Sequence, residues 1–218
     1  MRIKAVIWDL DGTLLNTLDD LAASTNAALL EHGLPERTTD EVRRFVGNGI
    51  HRLIELAVPH SGAQHPAFQA VLDAFVAHYA VHSKDRTRPY DGIAQVLDEL
   101  TARGMVHAIV SNKIDFAVKA LSRDYFEGKM CSAVGDDPSR RKKPAPDSVL
   151  EAMRQMGVTA EETVYVGDSE VDVMTAKNAG LPCIAVTWGF RSEETLREAG
   201  AVHIAHRPEE IVPLIETL

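Results

Sequence analysis

The apolar run Ala5-Val6-Ile7-Trp8, broken at once by Asp9-Leu10-Asp11-Gly12, constrains this chain more than any other stretch. It is too short for a globular helix and suits a parallel strand buried on both faces. In extended chain, residues two apart share a face, so Asp9 and Asp11 are predicted to point one way and Leu10 the other. Gly12 permits a sharp turn and lets backbone amides approach whatever the carboxylates hold. Adjacent acids repel each other, so a cation between them is expected. A plain strand end with an Asp-Gly turn would use the same residues, so the rest of the chain must decide between the two.

The 218 residues suffice for one sizeable domain or two small ones. Asn16-Thr17-Leu18-Asp19-Asp20 reads as a helix start, and the helix stops at His32-Gly33. Thr38-Thr39-Asp40-Glu41 has capping-box spacing and opens a short helix through Phe45. Two more helices are predicted over about residues 50–57 and 66–81, and no strand between Leu15 and His82. Residues 83–89 read as a polar linker. Beyond it, strands are predicted at 106–110, 130–134, 163–166, 182–187 and, at an edge, 202–205. Helices between them are predicted over 93–102, 114–122, from the proline-rich loop to Gly157, 171–179, 193–199 and 209–216. The expectation is an α/β fold: a doubly wound parallel sheet from residues 1–14 and 89–218, with a small α-helical block, residues 15–88, inserted after the first strand.

A formal charge of −9 argues against a nucleic-acid or anionic-membrane partner. It leaves a phosphorylated substrate open, because a bound metal reverses the sign of a small site. No apolar run is long enough to span a bilayer, and the first strand follows the N-terminus without a signal-peptide core, so a cytoplasmic protein is expected. Cys131 and Cys183 fall in strand-like segments and read as reduced core thiols. His78 and His82 have helical i,i+4 spacing but no neighbouring acid or thiol, so they read as a solvated helix face.

In doubly wound sheets, ligands sit beyond the carboxyl ends of the strands. That rule selects Asp9, Asp11, Ser111 and Asp168, each ending a predicted strand. The carboxylates suit Mg2+, Ser111 can donate to an anion, and Asp172 lies one helical turn past Asp168. Lys143, on a loop stiffened by Pro144 and Pro146, adds a positive charge, and together these describe a phosphate clamp. No Walker A or dinucleotide-binding glycine pattern is present.

Asp9-Leu-Asp11-Gly12-Thr13, Ser111, Lys143-Pro144 and Gly167-Asp168-Ser-Glu-Val-Asp172 resemble, in order, the four motifs of the haloacid dehalogenase superfamily. The helical insert resembles that family's small helical cap. The resemblance implies Asp9 as nucleophile, forming an aspartyl-phosphate, and Asp11 as general acid and then base. It implies Mg2+ on Asp9, the Asp11 main-chain carbonyl and Asp168, with Asp172 behind them orienting Lys143. Gly12, Thr13, Ser111, Asn112 and Lys143 would surround the phosphoryl group. Lys143 rather than Lys142 is chosen by alignment to the family's Lys-Pro. A dehalogenase would lack the acid at Asp11, and a phosphonatase would need a cap lysine, of which there is none between Lys4 and Lys84.

Phe45-Val-Gly-Asn-Gly49 and Val186-Thr-Trp-Gly189 further resemble the phosphoglycolate phosphatases. A small phosphate ester bearing a carboxylate, 2-phosphoglycolate foremost, is therefore expected. Asn48 and Gly49 at a helix N-terminus, with Arg52 in its first turn, are the expected carboxylate contacts. A β-phosphoglucomutase-like phosphotransferase and a pyrophosphatase or nucleotidase share the core motifs and stay open. Arg191 is expected to pair at the surface with Glu193 or Glu194, and the chain to act as a monomer or homodimer.

Overall fold

The computed structural model describes residues 3–59 and 62–218. In chain order it forms β1 (Ala5–Trp8), β2 (Leu15–Asn16), α1 (Leu18–Glu31), α2 (Thr39–Phe45), α3 (Gly49–Ala57) and α4 (Phe68–His82). β3 (Arg88–Pro89), α5 (Ile93–Ala102), β4 (Val106–Ile114), α6 (Asp115–Phe126) and β5 (Ser132–Asp136) follow. The chain closes with α7 (Asp147–Met156), β6 (Thr163–Gly167), α8 (Glu170–Ala179), β7 (Cys183–Val186), α9 (Glu193–Glu198), β8 (His203–Ala205) and α10 (Ile211–Glu216). Two compact units result: unit 1 from Met1–Leu15 and Pro89–Leu218, and unit 2 from Asn16–Arg88. No helix among the described residues is long and apolar enough to cross a membrane.

Unit 1 holds a six-stranded sheet in the order β5-β4-β1-β6-β7-β8, with every neighbouring pair parallel. β1 is central, between β4 and β6, and all four of its residues are buried. Its side chains alternate between two cores. Val6 and Trp8 join Leu97, Leu100, Ile109, Val164 and Ile184. Ile7 joins Val110, Val149, Tyr165 and Ala176 on the other face. Helices must cover both faces of a sheet apolar on both sides, which is why the alternation of strand and helix yields this layering.

Unit 2 is built by α1 to α4, with α1 packed against α4 and α2. Buried Leu21, Leu29, Val42, Ile54, Val71 and Phe75 supply its apolar faces. The capping box at Thr38 forms as the spacing predicts: Glu41 N donates to Thr38 Oγ1 and Thr38 N to Glu41 Oε2. Asp20 accepts from the backbone amides of Arg86 and Thr87, tying the end of the linker to α1. His78 and His82 stack at 4.2 Å, with hydrogen bonds to Ser24 and Asp85 respectively.

Four expectations need correction. Leu15–Asn16 is a short strand, paired with β3, where no strand was expected. β4 continues past Val110 to Ile114, because pairing with β5 resumes after a register shift. β5 begins at Ser132, two residues later than expected. Cys131 therefore precedes it and is exposed, although its amide still bonds His107 O. Both cysteines are free.

Candidate active site

At the end of β1, Asp9 N still donates to Val166 O, so Asp9 continues the parallel ladder. The chain then turns. The amides of Leu14 and Leu15 both fold back on Leu10 O, and Gly12 takes φ +93. Strand alternation therefore stops at Leu10, and the Asp9 and Asp11 side chains turn to different lysines. Asp9 meets Lys143 at 2.7 Å, whereas both Asp11 oxygens lie 2.9 Å from Lys113 Nζ.

Lys143 Nζ donates within a buried group: Asp9 Oδ1 at 2.7 Å, Asp172 Oδ1 at 2.8 Å, Tyr165 OH at 3.1 Å and Val110 O at 3.2 Å. Its loop is held from below by Asn112, whose Oδ1 accepts from Lys143 N and whose Nδ2 donates to Lys143 O. Asn112, an expected substrate contact, holds the lysine's backbone through its side-chain amide. Lys142 pairs with Asp136 and Arg141 with Asp147, so the run 140–143 is no open basic patch.

Asp168 ends β6. Its Oδ1 accepts from Thr13 Oγ1 at 2.9 Å and its Oδ2 from Phe190 N at 2.7 Å. The packing there is tight. A Cβ on Gly12 would lie 2.4 Å from Asp168 Oδ2, and one on Gly189 would lie 2.3 Å from Asp168 Cβ. Thr13 and Gly12 thus touch the carboxylate that the resemblance assigns to a metal. Asp172 is divided between two tasks: Oδ2 closes a capping box with Ser169 at the start of α8, and Oδ1 faces Lys143 and Tyr165. A helix cap thereby aims a charge at the site. Ser111 is buried, and its Oγ accepts from Lys113 N, which leaves its hydroxyl hydrogen for an anion.

Asn48, Gly49 and Arg52 belong to unit 2. Asn48 precedes α3 as its N-cap, Gly49 opens the helix at φ +82, and Arg52 pairs with Glu55 at 2.7 Å. Arg191, expected to pair with Glu193 or Glu194, pairs with Glu170 at 2.9 Å, and its side chain is largely buried. Two site neighbours escaped sequence reading, Lys113 and Tyr165. Lys113 lies two residues past Ser111, and Tyr165 puts the one hydroxyl into the strand centre Val164–Val166; both are signals that alternation alone could have offered.

Burial first, then the charge of Asp172, pushes the Asp9 carboxyl up to about 7 against the pull of Lys143. Burial also raises Asp168, helped by Asp172 and Asp9. For Lys143, burial lowers the affinity for a proton, but Asp172 and Asp9 outweigh it and hold the ammonium well above its ordinary range. Oxygens of Asp9, Asp168 and Asp172 all lie within 4.8 Å of one another. Three clustered buried carboxylates, two of them on one ammonium, leave an excess of negative charge that a hard divalent cation with oxygen ligands fits. Since Asp172 already serves Lys143 and the helix cap, Asp9 and Asp168 are the carboxylates suited to hold it.

Residues 6–186 match the family described as Haloacid dehalogenase-like hydrolase. The chain is 34% identical over 189 residues to a phosphoglycolate phosphatase of Xanthomonas campestris pv. campestris, covering 86% of this chain and 85% of that protein. It is 31% identical over 218 residues to the N-acetylmuramic acid 6-phosphate phosphatase of Pseudomonas aeruginosa, covering 99% and 96%. A crystal structure of a provisionally assigned phosphoglycolate phosphatase from Lactobacillus delbrueckii subsp. bulgaricus is similar at TM-score 0.93 and 33% identity, covering 99% of each chain.

Proposed function

Because this chain belongs to the haloacid dehalogenase-like hydrolase family and is a phosphoric monoester hydrolase of it, we propose that it hydrolyses a small phosphate ester bearing a carboxylate, 2-phosphoglycolate foremost. The observation that carries this reading is the buried ammonium of Lys143, set between Asp9 and Asp172.

In the proposed first step an Asp9 oxygen attacks phosphorus, the bond to the leaving oxygen breaks, and Asp11 gives that oxygen a proton. In the second, Asp11 takes a proton from water as the water oxygen displaces Asp9. Splitting one displacement into two lets the same carboxyl serve as acid and as base. Charge on the three peripheral phosphoryl oxygens is met by Lys143 and Ser111, with Gly12 and Thr13 proposed beside them. Mg2+ held by Asp9, Asp168 and the Asp11 carbonyl would supply further positive charge there and favour ionised Asp9. Asn48, Gly49 and Arg52 remain proposed substrate contacts of unit 2.

The alternatives differ in the organic group. The test compares kcat/KM for 2-phosphoglycolate, N-acetylmuramic acid 6-phosphate, β-glucose 1-phosphate, pyrophosphate and nucleoside monophosphates, with Mg2+ present. A preference for 2-phosphoglycolate of at least about tenfold, about 1.4 kcal/mol in transition-state binding, is expected. A mutase would instead return a phosphorylated sugar from β-glucose 1-phosphate. Turnover of none of these esters would remove the hydrolytic reading itself.

A further inference from the structure

We propose that Trp188 is a positioning residue for the divalent cation: by holding Thr13 in place, it fixes the Asp168 carboxylate in the orientation that binds the ion. The proposal rests on the phosphatase reading and its metal, and it gives residues 186–189 a task that the displacement described above leaves unassigned. Asp168 is 1% exposed, and each of its oxygens accepts from a neutral donor: Oδ1 from Thr13 Oγ1 at 2.9 Å, Oδ2 from Phe190 N at 2.7 Å. A carboxylate turns easily about its last side-chain bond, so a donor on each oxygen sets its plane. Ligating carboxylates lose metal affinity when such outer donors are removed.

Thr13 can orient Asp168 only if its own position is fixed. It is fully buried in the turn after β1, where its amide reaches Leu10 O at 3.4 Å, longer than an ordinary amide bond. Trp188 supplies the firmer hold, its indole Nε1 donating to Thr13 O at 3.0 Å. A partly buried indole N–H needs an acceptor, and this one finds it on the turn that carries the site. The loop bearing the indole is itself anchored. Thr187 N donates to Ala205 O of β8 at 3.0 Å, and Trp188 packs on the main core. Three consecutive residues thus bear on Asp168. Trp188 holds Thr13, Gly189 lies so close that a Cβ there would stand 2.4 Å from Asp168 Oδ2, and Phe190 N binds that oxygen directly. One loop therefore fixes the carboxylate by two routes, and the route through Thr13 depends on the indole.

The test is calorimetric titration with Mg2+ of metal-stripped wild type, Trp188→Phe, Thr13→Val and the double variant. Trp188→Phe keeps an aromatic ring and removes the donor. Its Mg2+ dissociation constant should rise about tenfold or more, the scale of losing an outer hydrogen-bond partner of a metal ligand. Thr13→Val should weaken Mg2+ as well. Adding Trp188→Phe to it should change binding by less than about threefold, because the link from Thr13 to Asp168 is already cut. The Mg2+ concentration giving half-maximal turnover of p-nitrophenyl phosphate should rise in Trp188→Phe in step with the dissociation constant. A lower melting temperature with an unchanged dissociation constant would show a packing role alone and overturn the proposal. A fully additive loss in the double variant overturns it too. If Trp188→Phe does not fold, the wild type decides by NMR. The chain has two tryptophans, and the Trp188 indole N–H signal, assigned with Trp8→Phe, should shift on saturation with Mg2+; an unmoved signal overturns the proposal. A wild type that binds no Mg2+ removes the metal from the phosphatase reading and this proposal with it. Equal binding by wild type and Trp188→Phe removes this proposal alone. If the wild type binds Mg2+ but cleaves no phosphate ester, the hydrolytic reading fails separately, and the calorimetric constants still judge Trp188.

Discussion

Lys143 Nζ lies 2.7 Å from Asp9 Oδ1, a pairing across 134 residues of sequence. Asp9→Asn keeps the shape of the side chain and an acceptor for the lysine, but removes the nucleophile. Turnover of p-nitrophenyl phosphate should fall by about a thousandfold or more. The melting temperature should hold or rise, because one of three mutually repelling buried carboxylates is gone. Activity near wild type would refute attack by Asp9.

The excess of buried carboxylate predicts a response to divalent cations. EDTA should abolish turnover, and Mg2+ should restore it. Mg2+ should also raise the melting temperature of the EDTA-treated protein by mass action, and Asp168→Asn should blunt that rise. A melting curve indifferent to Mg2+ up to about tens of its dissociation constant would remove the metal from the site.

His107 predicts an acid-side loss of stability. It is buried among core groups: Trp8 Nε1 donates to its Nδ1 at 3.2 Å, so Nε2 carries the proton toward Thr101 Oγ1. Burial, with a smaller push from Lys129, lowers its pKa from 6.5 to about 4. The unfolded chain therefore binds the extra proton first. The contribution is complete above about pH 6.5 and is lost as pH falls through about 4, up to about 3 kcal/mol. Urea unfolding at pH 7 and pH 4.5 should show a smaller difference for His107→Asn than for wild type.

Close approach at Gly189 predicts a substitution effect that its sequence neighbours do not announce. An added Cβ would stand 2.3 Å from Asp168 Cβ and 2.4 Å from Gly12 O. Gly189→Ala should cost about 3 kcal/mol and also lower turnover, since Asp168 must shift. Gly104→Ala meets nothing within 4 Å and carries only the strain of φ +83, so about 1 kcal/mol and unchanged turnover are expected. Denaturant midpoints and kcat for both variants check the contrast.

In unit 2, buried Asp20 accepts from Arg86 N and Thr87 N at 2.8 to 3.1 Å. Asp20→Ala strips a carboxylate from two backbone donors and should cost about 2 kcal/mol. Amide exchange at Arg86 and Thr87 should quicken, whereas amides in the middle of β1 should not. Uniform quickening across the chain would show a global effect instead.

The strand ends were legible because their signals are local. Runs such as Ala5–Trp8 and Val164–Val166 stop abruptly at acids or glycine, and the rule that ligands lie beyond strand ends then selects Asp9, Ser111 and Asp168. The helical insert was legible for the same reason: capping residues and periodic apolar positions lie within a few residues of one another. Boundaries fared worse where pairing extended them. β4 runs on to Ile114 only because β5 is there to receive it.

The sequence by itself determined the α/β alternation, the inserted helices and the acids at the strand ends, since each follows from spacing along the chain. Only the tertiary structure decided which cation each acid meets. Asp9 and Asp11 are two residues apart, yet one faces Lys143 and the other Lys113. That division depends on the fold-back of Leu14 and Leu15 onto Leu10 and on Asn112 holding the Lys143 loop. The burial that lifts Asp9 and Asp168, and the contact that forbids a Cβ at Gly189, arise likewise from groups distant in sequence. Electrostatics and close packing depend on distance in space, and periodicity along a chain carries no record of it.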